Sequence, residues 1–132
     1  MLGPTYRFTA FNTTGQTLVA NAITIKPRRW KYASDGSLSD EVTGATDILA
    51  QSSSMSNSTF KTGATQDNTT TKYIGGFFEI TASAPLSSVG DVTIYLERSV
   101  DGGTTWPDNG RGTWVCTFSF TSSGTKRDVV EL

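Results

Sequence analysis

The sequence predicts an all-β, single-domain β-sandwich, jelly-roll or immunoglobulin-like, of about seven to nine strands. Three observations carry that expectation. Residues 91–120 contain two alternating runs joined by a glycine-rich turn. In the first, Val92, Ile94 and Leu96 fall on one face and Thr93, Tyr95 and Glu97 on the other. In the second, Trp114, Cys116, Phe118 and Phe120 alternate with Val115, Thr117 and Ser119. About a quarter of the chain is Ser or Thr and 13 residues are Gly, with few Ala or Leu runs, a composition that disfavours helices and favours short strands and turns. Finally, 132 residues make a single-domain length, at which a fold buries roughly two-thirds of the surface its unfolded chain exposes.

The other elements are placed against that hairpin. Residues 6–12 alternate Tyr6, Phe8 and Ala10 with Arg7, Thr9 and Phe11, so aromatic bulk stands on both faces and the strand is expected to be covered on both. After a turn at Thr14-Gly15, residues 17–25 resume a strand-like run through Leu18, Ala20, Ile23 and Ile25, and Pro27 marks an edge or an interruption. Residues 34–72 are polar and poor in apolar side chains. Either short strands lie within them, near 46–50 and 58–61, or they form a surface arm ordered by a partner. Residues 73–82 read as a strand with Phe78, Ile80 and Ala82 on one face, and Gly75-Gly76 is expected to mark a bulge or bend at its start. A loop over 85–90 leads into the hairpin, and a turn at 122–124 leads into a last strand over 126–132.

Composition excludes several function classes. Eleven basic and twelve acidic residues give a net charge of −1, without the basic footprint of a nucleic-acid binder, so such a role is disfavoured. The chain contains no histidine, which removes Ser-His-Asp and Cys-His catalysis and His-containing zinc sites. Its one cysteine, Cys116, reads as a buried, inert thiol. No cofactor or metal motif is present; a calcium loop from Asp101, Asp108 and Asn109 fits no EF-hand spacing. No window has the apolar length of a membrane span and the N-terminus lacks a signal-like segment, which predicts a soluble protein made in the cytosol. Glu79 and Glu97, on strands expected to be neighbours, are the one carboxylate pair to consider for glycoside chemistry, and they read better as solvent-facing or cross-strand charges.

Two stretches stand out. Residues 26–32, KPRRWKY, set four cations around Trp30 and Tyr32. Arginine and tryptophan are enriched in protein interfaces, so Arg28, Arg29, Trp30 and Tyr32 are the expected subunit contact. Ser99, Asp101, Gly103, Thr105 and Trp106 match the Asp-box pattern S-x-D-x-G-x-T-W at all five defining positions. The pattern specifies a turn: the Asp carboxylate accepts amides of its own loop, glycine supplies positive φ, and the Trp packs back on the hairpin. A propeller needs four or more such blades, so one copy transfers neither that fold nor sialidase activity.

The segment YLERSVDGGTTWP, followed by a Phe-rich strand and the KRDVVEL ending, resembles small structural proteins of tailed-bacteriophage virions over residues 91–132. The resemblance implies a non-enzymatic virion component made in the host cytoplasm. Its expected role is a capsid decoration or cement protein, homo-oligomeric and in contact with the major capsid protein or tail proteins. The alternative is an accessory tail or baseplate protein binding a carbohydrate receptor, with Trp30, Trp106 or Tyr73 as stacking platforms.

Overall fold

The computed structural model describes residues 2–40, 47–107 and 109–132. Among them ten strands follow in chain order: β1 (Thr5–Asn12), β2 (Ile23–Tyr32), β3 (Leu38–Asp40), β4 (Leu49–Ala50), β5 (Thr59–Thr62), β6 (Gln66–Asp67), β7 (Gly75–Ala84), β8 (Gly90–Ser99), β9 (Thr113–Phe120) and β10 (Gly124–Glu131). All pairings are antiparallel and form two sheets, one in the order β5-β1-β8-β9 with β6 also on β1, the other in the order β10-β7-β2-β3 with β4 also on β2. The chain is an all-β sandwich. The count exceeds seven to nine because residues 34–72 supply four strands of only two to four residues, too short to show an alternation.

The core lies between the sheets. Tyr6, Phe8 and Ala10 of β1 and Val92, Ile94 and Leu96 of β8 face Ile23 and Ile25 of β2 and Phe78, Ile80 and Ala82 of β7, all essentially inaccessible to solvent. Phe8 and Phe78 meet across the gap with ring centroids 5.1 Å apart. Fully burying a side chain of this size contributes about 1.5–3 kcal/mol, so this contiguous layer is the main source of stability.

Several local expectations are corrected. The run over 17–25 is not one strand. Leu18 makes an isolated bridge to Met55, Asn21 turns through a φ of 61°, and β2 begins only at Ile23. β2 then continues through Pro27, whose missing N–H falls in the gap between β4, opposite Thr24 and Ile25, and β3, opposite Trp30 to Tyr32. Gly75 and Gly76 make no bulge, since their pairing with Trp30 and Arg29 is continuous. They are needed for close approach: a Cβ at Gly75 would fall 2.6 Å from Leu132 O and 3.1 Å from the Trp30 ring, and one at Gly76 would fall 2.9 Å from Arg28 O.

The bulge lies instead in β9. Ile94 pairs with Cys116 but Tyr95 pairs with Trp114, so Val115 is the extra residue and the alternation inverts there. Val115 and Cys116 are both buried, whereas Trp114, expected inside, stands 62% exposed on the outer face. Cys116 is buried as expected, and burial, followed by the nearby Asp128 carboxylate, pushes its thiol up to about 12. A thiol reagent at neutral pH should therefore leave Cys116 unmodified in the native protein and label it fully in denaturant. Rapid labelling of the native state would show that β9 opens from the sandwich.

Candidate functional site

The outer faces of the two sheets differ. On the first, Arg7, Thr9 and Phe11 of β1 stand opposite Glu97, Tyr95 and Thr93 of β8. The connection between β8 and β9 folds back over this face in its described residues, 100–107 and 109–112. Its Trp106 ring lies under the Arg7 guanidinium at 3.9 Å, and Arg111 reaches Phe11 and Phe60, themselves stacked at 4.3 Å. Gly110, at a φ of 87°, lies against the Phe60 ring, where a Cβ would come within 3.0 Å.

Glu97 lies beneath this cover. Arg7 Nε donates to its Oε2 at 2.7 Å, Thr9 Oγ1 donates to the same oxygen at 2.9 Å, and the Gly110 amide donates to Oε1 at 2.6 Å. The Glu97 side chain is wholly inaccessible and that of Arg7 is 20% exposed. Burial alone would push the carboxyl up. The Arg7 hydrogen bond, the Gly110 amide, the Thr9 hydroxyl and the charge of Arg7 together outweigh burial and hold it below its ordinary value. The expected solvent-facing role is thus corrected for Glu97, which is an interior cross-strand charge. Glu79 and Glu97 are not on neighbouring strands either, because β7 and β8 belong to different sheets. Glu79 instead faces outward near Arg127, at 3.8 Å.

The loop that carries the S-x-D-x-G-x-T-W pattern closes on its own side chains. Ser99 Oγ donates to Asp101 Oδ1 at 2.6 Å and accepts the Gly103 amide at 2.9 Å. Asp101 Oδ1 also accepts the Thr105 amide at 2.9 Å, and its Oδ2 accepts the Thr105 hydroxyl at 2.6 Å. Gly102 and Gly103 take φ values of 72° and 91°. These donors, led by the Ser99 and Thr105 hydroxyls, hold the Asp101 carboxyl far below the usual range. Both of its oxygens are committed to the turn. Asp108 of the imagined calcium loop lies outside the described residues, and among those described no group of three acidic, Cys or His side chains is placed to hold a metal ion.

Among the described residues no connection covers the outer face of the second sheet, and KPRRWKY divides across it by strand period. Arg28, Trp30 and Tyr32 point outward. Arg29 points the other way, donating to Tyr6 Oη at 2.7 Å and Gln66 Oε1 at 3.2 Å with its guanidinium 4.5 Å from the Tyr73 ring. Arg29 thus belongs to the end of the core and not to a contact face with the other three. Trp30 meets Phe77 at 5.1 Å, and Tyr32 pairs across strands with Leu38. Val129 of β10, opposite Glu79 and so diagonal to Phe77 on the same face, extends them into an oblique stripe, Leu38–Tyr32–Trp30–Phe77–Val129. Tyr32, Leu38 and Val129 are each more than half exposed. The ion pair Arg28–Asp40, 2.9 Å long, and the pair Arg127–Glu79 flank it.

The three proposed sugar platforms are separated. Trp106 lies under Arg7 on the first sheet, Tyr73 is flanked by Arg29 and Lys31 at 4.5 and 5.8 Å, and Trp30 is on the second sheet's outer face. The exposed aromatic missed in the sequence is Trp114, beside Tyr95 and donating from Nε1 to Thr117 Oγ1 at 3.0 Å. Nothing in the alternation signals it, because the bulge exposes it. Phe77, Leu38 and Val129 were likewise missed as members of one face, since they come from three strands. No protein-family model, curated protein or solved structure matches this chain.

Two outcomes follow from the first sheet. Replacing Glu97 with Gln leaves Arg7 without its counter-charge under the loop and should cost about 3 kcal/mol in denaturant unfolding. Because the folded carboxyl is depressed, its contribution is complete above the ordinary value of 4.5 and disappears as pH falls through the lowered one. The wild-type stability curve should therefore drop on acidification below 4.5, and Glu97→Gln should flatten that part of it. An Asp101→Ala variant should melt several degrees lower and expose the 100–106 turn to proteolysis, with Asp101→Asn intermediate. Unchanged melting of the alanine variant would contradict a structural role for the turn.

Proposed function

We propose that this chain is a non-enzymatic structural component of a bacteriophage virion, acting by adhesion as a capsid decoration or cement protein. The observation that carries the adhesive reading is the outer face of the second sheet, where an exposed aromatic and aliphatic stripe crosses three long strands and one short one. Such a stripe, flanked by the exposed pairs Arg28–Asp40 and Arg127–Glu79, has the apolar centre and charged surround of a protein contact. The virion assignment rests on the resemblance carried by residues 91–132. A decoration protein stabilises a shell because it binds the assembled lattice and not the free subunit, so its binding free energy adds to that of the lattice. Many copies on one shell make modest contacts act together. Partners are then the major capsid protein or tail proteins, and the setting is the virion.

The second reading, a carbohydrate-binding tail or baseplate module, is supported by Trp114, whose exposed ring lies beside Tyr95 on the outer face of the first sheet. One sedimentation experiment separates the two. The purified chain is mixed with phage heads stripped of accessory proteins, alongside variants Tyr32→Ala, Leu38→Asp and Trp114→Ala. Saturable co-sedimentation, weakened about tenfold or more by the first two substitutions and not by the third, is the expected result. Absence of binding to heads would overturn the decoration reading, and glycan-array binding lost with Trp114→Ala would establish the second.

A further inference from the structure

We infer that the chain forms a two-fold dimer by antiparallel pairing of β10 with β10 of a second copy, in a register that sets Val129 opposite Val129. The inference does not rest on the virion reading. It starts from the strand edges. A sheet edge presents unpaired N–H and C=O groups and is a template for another strand unless it is short, bulged or covered. Among the described residues, β3, β4, β5 and β6 are two to four residues long, and β9 carries the Val115 bulge. β10 differs from all of these. It runs eight residues, Gly124–Glu131, with an unbroken register against β7 and no proline, and it is exposed along almost its whole length.

The hydrogen-bonding phase of that edge is fixed. Gly76 N donates to Leu132 O at 2.9 Å and Leu132 N donates to Gly76 O at 3.0 Å, which makes this a closely bonded pair. By alternation Val130, Asp128 and Lys126 bond toward β7, while Glu131, Val129, Arg127 and Thr125 direct their backbone groups to the open side. The Val129 amide is accordingly engaged by a side chain, Asp128 Oδ1 at 2.8 Å, and not by a strand. In the dimer the Val129 carbonyl of the second copy takes that place.

Charge selects the register. A two-fold axis normal to the sheet keeps outward residues opposite outward residues, so strand positions pair with an even sum. Thr125, Arg127, Val129 and Glu131 are the outward residues here, opposite Ser83, Thr81, Glu79 and Phe77 of β7. With Val129 on the axis, each Arg127 faces the Glu131 of the other copy, giving two opposite-charge cross-strand pairs around an apolar contact. Sliding by one step toward the N-terminus sets Asp128 opposite Asp128, and by two steps Arg127 opposite Arg127, both like-charge contacts. Sliding the other way loses the Arg127 pairs. The chosen register also joins the two outward stripes at Val129 into one continuous surface, and the interface is isologous, as a closed dimer requires.

The test is a concentration series in sedimentation velocity on the full chain. Wild type should pass from monomer to dimer. Arg127→Glu and Glu131→Arg should each weaken dimerisation by more than about tenfold, since both cross-strand pairs become repulsive. An equimolar mixture of these two variants should restore the dimer, because every pair in the heterodimer is then opposite in charge. The double variant R127E/E131R should dimerise with itself. Val129→Pro removes an amide that faces only the open side and should abolish pairing; thermal melts confirm folding, and if this variant does not fold the charge variants carry the test. Wild type that stays monomeric at the highest concentration, single reversals that leave the dimer unchanged, or a mixture that stays monomeric would each overturn the inference.

Discussion

The interior ion pair of Glu97 with Arg7 makes the two outer faces of this sandwich unlike each other. A carboxylate removed from water is costly, and its own side chain cannot offset that cost. It requires a cation beside it and donors on its remaining lone pairs. Arg7 and Thr9 come from the adjacent strand, and the third donor is the Gly110 amide, supplied by the long β8–β9 connection. Satisfying Glu97 therefore requires that connection to lie down over the sheet. Trp106 is then brought under Arg7, and Arg111 over Phe11 and Phe60. The first sheet thus gains a second, polar and aromatic layer of packing, while among the described residues the second sheet gains none.

The Asp-box turn works within that arrangement as a local brace. Its hydrogen bonds close within seven residues, so it sets the exit of β8 without help from distant parts of the chain. The same short-range device recurs at Asp35 with Ser37 and at Asp67 with Thr69, where each carboxylate accepts the amide and hydroxyl two residues on and is held below its usual range. A Ser- and Thr-rich chain can thus hold its connections through hydroxyl and amide donors to aspartate, leaving apolar residues for the core.

What was legible in the sequence follows the range of the interactions concerned. The long alternating strands and the Asp-box turn were readable because their determinants are consecutive residues. The inward turn of Arg29 was readable too, from the two-residue period that separates it from Arg28 and Trp30, although grouping the cluster by charge concealed it. The burial of Glu97 was not readable, since it depends on β1 and β8 pairing with Arg7 opposite Glu97, two positions 90 residues apart. Nor was the exposure of Trp114, which reverses because one extra residue, Val115, enters the ladder at a point that alternation alone does not mark. The apolar stripe was half visible: Trp30 and Tyr32 are two apart in one strand, but Phe77, Leu38 and Val129 join them only through pairing.

The contrast between the faces narrows where adhesion can occur. On the first sheet, apolar rings are largely occupied by cations and by each other beneath the loop, leaving Trp114 as its one strongly exposed large hydrophobic side chain among the described residues of its strands. On the second, the stripe runs from Leu38 on the β3 side to Val129 on the opposite edge strand. A stripe that ends in the middle of a face would define a one-sided contact. One that ends at an unpaired edge, beside Arg127 and Glu131 of opposite charge, can continue into another copy with its hydrogen bonds and its charges both matched. The proposed self-association and the proposed attachment to a larger surface would use different residues, the edge of β10 for the first and the Tyr32–Leu38 end for the second, so the two proposals do not compete for one surface.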